Sequence, residues 1–99
     1  MPGNGVVRYE SVTVAGTAIG ITVTPARSIL PHAALVTVED AAIRYRVDGT
    51  APTATEGHIA YPGDVITLSA RDEMVGFQAI RKDASSAVIK VTDFVEWVP

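Results

Sequence analysis

One segment limits what this chain can become: Ile43-Arg44-Tyr45-Arg46-Val47-Asp48-Gly49-Thr50-Ala51-Pro52-Thr53. Its first half alternates with period two, so Ile43, Tyr45 and Val47 share one strand face and Arg44 and Arg46 the other. Its second half is a rigid turn. The Asp48 side chain is placed to accept a hydrogen bond from the backbone two residues on, closing an Asx-turn. Gly49 supplies the positive φ that such a reversal needs, and the Thr50 hydroxyl can satisfy a further backbone group. Pro52 fixes its own φ and holds Ala51 extended. Asp48, Gly49, Thr50 and Pro52 therefore read as a structural corner that needs no ligand to stiffen it.

The same two-residue period recurs along the chain. Strands are expected at 6–10, 11–14, 19–23, 33–38, 43–47, 58–60 and 65–69, with 77–81 and 87–92 as a terminal hairpin. Pro25, the pair Glu39-Asp40 and the turn Tyr61-Pro62-Gly63-Asp64 punctuate them. Residues 72–76 read as a brief helical turn or a loop, and nowhere does a 3.6-residue period persist over three turns. Strands this short, broken every 8–12 residues or so, predict a single all-β sandwich of about seven to nine strands, Ig-like or jelly-roll-like, with little or no helix. Residues 1–5, rich in Gly, Pro and Asn, read as a flexible arm, 6–94 as the domain, and 95–99 as a C-terminal extension.

Composition narrows the function. The eight basic residues are scattered and the net charge is −3, so no stripe exists to neutralise a phosphate backbone, and a nucleic-acid partner is not expected. The absence of cysteine excludes disulfides and thiolate metal sites. His32 and His58 share no helical metal-ligand spacing, so neither metal nor cofactor is expected. Ser85 and Ser86 lack a nucleophile elbow, and the carboxylate pairs Glu39-Asp40 and Asp72-Glu73 read as solvated loop ends. No catalytic residue stands out, and a non-enzyme is expected. No apolar run is long enough for a membrane-spanning helix, and no secretory leader starts the chain, so a soluble protein made in the cytoplasm is expected. A mean hydropathy of +0.26 is high for a small independent monomer and hints at a homo-oligomer or a docked subunit.

Two groups of residues are candidate interfaces. Arg44 and Arg46 either pair with carboxylates such as Glu10 or Asp93 across the sheet or reach a neighbouring subunit. Near the C-terminus, alternation places Phe94 and Val98 on one face and Val95 and Trp97 on the other. They either complete the core or add to a neighbour's sheet.

Read as I-R-Y-R-V-D-G-T-A-P-T-A-T, residues 43–55 resemble the Y-T-x-D-G-S/T-x-P-T motif of chitobiase C-terminal-like, fibronectin type III-associated β-sandwich modules. Ala60 to Leu68 is similar to the second strand-turn-strand of those modules. Over residues 9–94 the chain also resembles small virion proteins of tailed bacteriophages. The resemblance is carried by Val14-Ala15-Gly16-Thr17-Ala18-Ile19-Gly20-Ile21-Thr22, by the central segment, and by Gly76 through Phe94. Asp93 departs from it, standing where an aromatic is usual. The resemblance implies a non-enzymatic virion subunit, a capsid decoration or cement protein or another head–tail accessory, in contact with major capsid or tail proteins. The alternative it leaves is a carbohydrate-associated binding module.

Overall fold

The computed structural model describes residues 3–22 and 32–97, with side chains for 9–22 and 33–94. Among them are eight strands: β1 (Gly3–Val14), β2 (Ile19–Gly20), β3 (His32–Val38), β4 (Ile43–Arg46), β5 (His58–Ala60), β6 (Val65–Leu68), β7 (Gln78–Arg81) and β8 (Ala87–Trp97). One helix of six residues, α1 (Arg71–Gly76), lies between β6 and β7. The protein is an all-β sandwich of two four-stranded antiparallel sheets, in the orders β1-β8-β3-β6 and β2-β7-β4-β5.

The pairing β1–β8, β2–β7, β3–β6 and β4–β5 is that of one long antiparallel ribbon doubled back on itself. The extra pairs β3–β8 and β4–β7 roll that ribbon into two sheets. This strand order is the jelly roll, one of the two topologies that periodicity leaves open.

Alternation builds the core directly. Val12 and Val14 of β1, Ala34, Val36 and Val38 of β3, Ile66 and Leu68 of β6, and Ala87, Ile89 and Val91 of β8 all face the second sheet and are buried. Ile43, Ala60, Phe77 and Ala79 meet them from the other side, with Tyr45 and Val47 packed at the margin. Burying each Val, Ile, Leu or Phe contributes about 1.5–3 kcal/mol. The Phe77 ring lies 5.8 Å from that of Tyr45, joining β4 to the start of β7.

The structure departs from the sequence reading in several places. β1 is one continuous strand with an irregularity between Val6 and Arg8, since nothing at Glu10-Ser11 interrupts the ladder to β8. β2 shrinks to two residues. The expected terminal hairpin is absent: β7 and β8 are consecutive but lie in opposite sheets, and 82–86 crosses between them. Alternation marks each strand but not its neighbour, which packing decides. At the chain ends, where an arm and an extension are expected, the backbone of β1 and β8 stays paired out to Gly3↔Trp97.

One glycine sets how closely α1 meets the corner after β4. A Cβ on Gly76 would overlap the Val47 carbonyl oxygen and stand 2.9 Å from the Gly49 nitrogen, so the helix end and the 47–49 corner can touch only through bare backbone. The Gly49 N–H donates to the Gly76 carbonyl at 3.2 Å. At the other end of α1 the Glu73 carboxylate accepts the Ser69 N–H at 2.7 Å. Gly76→Ala should therefore destabilise the domain by about 1–3 kcal/mol, the range of overpacking. Urea unfolding should show a lower midpoint at an unchanged slope; a wild-type midpoint would refute the contact.

Candidate functional site

The corner after β4 is built from its own residues. Asp48 Oδ1 accepts the Thr50 N–H at 3.2 Å, the geometry of an Asx-turn. Gly49 has φ +84°, a conformation costly for any side chain with a Cβ, and Pro52 is buried. Gln78 on β7 reaches across, its Nε2 donating to the Gly49 carbonyl at 3.2 Å. Thr53 and Glu56 exchange backbone hydrogen bonds of 2.9 and 3.3 Å, closing the loop beyond.

Arg44 staples that loop. Its Nε donates to the Ala54 carbonyl at 2.8 Å and its Nη1 to the Gly57 carbonyl at 2.9 Å. Arg46 turns the other way, its Nε donating to Asp48 Oδ1 at 3.1 Å and its Nη2 to Oδ2. Neither arginine meets Glu10 or Asp93, which corrects the cross-sheet pairing considered from sequence. The reason is topological: β4 lies in the second sheet, Glu10 and Asp93 in the first. Glu10 instead accepts the Thr22 N–H at 2.8 Å and the Thr22 hydroxyl at 3.1 Å. Asp93 is 1% exposed on central strand β8, with Arg8 and Ala34 as its register partners.

Beside the corner lies an open cleft of about 430 Å³ lined by Arg46, Val47, Asp48, Glu56, Gly57 and His58. The His58 ring stacks obliquely on Tyr45, with centroids 5.4 Å apart. The cleft mixes both signs of charge, and its one arginine is already committed to Asp48. Among the described residues no cluster of His, Asp and Glu has the geometry to hold a metal. Asp40 and Glu73 accept the backbone N–H of Val88 and Ser69, and Glu39 accepts the Thr37 hydroxyl at 3.4 Å, so both carboxylate pairs serve as structural acceptors.

The C-terminal candidates separate. Phe94 is half-buried, and its alternation with Asp93 puts it on the outer face of the first sheet. The side chains of Val95, Trp97 and Val98 lie outside the described residues. That outer face also carries Tyr9, Leu35 and Val65, which are 60%, 36% and 58% exposed. Tyr9, Thr92, Leu35 and Thr67 form one cross-strand row. The sequence reading missed this row, although the outward positions of strands whose alternate residues are buried were there to be read.

No protein family, curated protein or solved structure matches the chain.

Two outcomes follow from the corner. Arg44→Met keeps the aliphatic stem and removes both loop hydrogen bonds, so it should cost about 1–2 kcal/mol. Amide exchange should quicken through 54–57 and not in β8; unchanged exchange there would show that the loop holds itself. The second outcome concerns Asp48, whose carboxylate is held below the usual range first by the Arg46 guanidinium and then by the Thr50 N–H. A depressed folded value means that the stabilisation is complete above the ordinary aspartate pKa of about 3.9 and fades as pH falls through the lower folded one. NMR titration of Asp48 should show its midpoint rising toward the ordinary value in Arg46→Gln. A midpoint that does not move would discount the pair.

Proposed function

We propose that this chain is a non-enzymatic structural subunit of a tailed-phage virion, a capsid decoration or head–tail accessory protein that acts by protein–protein contact. The observation that carries the reading is where the resembling segments fall. The segment 14–22 holds β2, the central segment holds β4, and Gly76 through Phe94 holds β7 and most of β8. β2, β7 and β4 are neighbours in one sheet, in that order, so these parts of the resembling segments pack together, while β8 carries the end of the last segment into the other sheet. A subunit of this kind works by burying area on a lattice, and a specific contact takes about 800 Å² per partner. The apolar and hydroxyl-rich outer face of the first sheet is suited to that use.

A carbohydrate-binding module calls for a platform of exposed rings. Tyr9 lies on β1, at one edge of the first sheet, and Tyr61 in the turn joining β5 to β6, so the two do not form one.

The test is mass spectrometry of purified virions together with binding of the purified chain to heads and to tails. A fixed copy number per particle and saturable binding to one of the two are expected. Absence from virions combined with no binding to either would overturn the reading.

A further inference from the structure

We propose that the outer edge of β1 is a self-association surface, on which a second copy of this chain pairs antiparallel about a twofold axis at Tyr9. β1 is the longest strand and ends its sheet. Among the described residues, no backbone hydrogen bond outside the β8 ladder reaches it. From Tyr9 to Val14 it reads Y-E-S-V-T-V, with neither the Lys nor the Pro that commonly blunts an edge. The contact of Glu10 with Thr22 lies on the inner side of the strand, because Glu10 alternates in step with buried Val12 and Val14.

The order of residues names the partner and the register. In a sheet continued across a twofold, an odd offset would set one copy's inner face beside the other's outer face, so the axis falls on a residue. An axis at Arg8 or at Glu10 opposes that charge to itself, and like charges directly opposite are destabilising. An axis at Ser11 leaves both charges opposite valines. With the axis at Tyr9, Arg8 of each copy stands opposite Glu10 of the other, and Tyr9 opposite itself. Tyr9 is 60% exposed on the outer face, so the aromatic cross-strand pair has room to form. The irregularity between Val6 and Arg8 lies outside this central triplet and adds local twist. The product joins two four-stranded sheets into one, and the contact is isologous and closed. This inference does not depend on the virion reading.

Because the chain has no cysteine, a single introduced one reports the register. Directly opposed residues sit about 4.5–5.5 Å apart at Cα, within disulfide reach. Tyr9→Cys should therefore give a disulfide-linked dimer under mild oxidation. In the same register Ser11 and its symmetry mate are four residues apart along the ladder, roughly 13 Å, so Ser11→Cys should stay unlinked. By sedimentation velocity the wild type should show twice the monomer mass at micromolar concentration. Tyr9→Lys should be monomeric with an unchanged circular dichroism spectrum. A wild type that stays monomeric throughout, a dimeric Tyr9→Lys, or Ser11→Cys linking as readily as Tyr9→Cys would each overturn the proposal. None of these measurements uses virions, so failure here and failure of the virion reading are told apart.

Discussion

The second sheet depends on a contact between bare backbones, where the end of α1 presses Gly76 against Val47 and Gly49. A side chain at Gly76 has nowhere to go, because what it would meet is main chain rather than the movable end of another residue. The approach lets the Gly49 N–H donate to the Gly76 carbonyl and puts Gln78, two residues further on, within reach of the Gly49 carbonyl. β7 then runs beside β4 with Tyr45 opposite Ala79 and Arg46 opposite Gln78. The 48–53 corner and the start of β7 are thus two halves of one joint.

That joint explains why the arginines of β4 are inward-looking in function although they point away from the core. Each guanidinium is spent on the chain's own loop, Arg44 on two carbonyls and Arg46 on Asp48. A loop bound in this way keeps its shape in solution, so a partner meeting it has little ordering entropy to offset. The His58 cleft inherits the same stiffness. Its charges, one arginine and two carboxylates, all reach solvent, which suits a rim rather than the desolvated centre of an interface.

Strand identity and the corner were legible in the residues, and the sheet neighbours were not. Asp48, Gly49 and Pro52 announce a turn through their own chemistry, and the inward set Ile43, Tyr45 and Val47 follows from alternation alone. The pairing of 77–81 with 87–92 looked local because the intervening residues, 82–86, are short and polar. Yet β7 has better neighbours in β4 and β2, and β8 in β1 and β3. Long-range packing outweighed sequence proximity there, as it does wherever strand order is decided by what fills the core. The partners of Arg44 and Arg46 were misread for the same reason, since which sheet holds Glu10 and Asp93 is a fact of topology. Gly76 was visible only as a residue of a resembling motif, because a close approach leaves no periodic trace.

The composition of the core bears on what surrounds it. Ala34, Ala60, Ala79 and Ala87 are all buried, alongside Val12, Val14, Val36, Val38 and Val91. Small side chains let two sheets come close but each removes little apolar surface from water, and a domain of about 100 residues has a modest core in any case. The two sheets are also unequal: β1 has 12 residues and β8 has 11, against two to four for every strand of the facing sheet. The first sheet therefore offers length, an edge and an outer face that its own partner sheet does not use. Burial that a thin core does not supply can be gained on that sheet by contact with another chain, and Tyr9 lies where its edge and outer face meet.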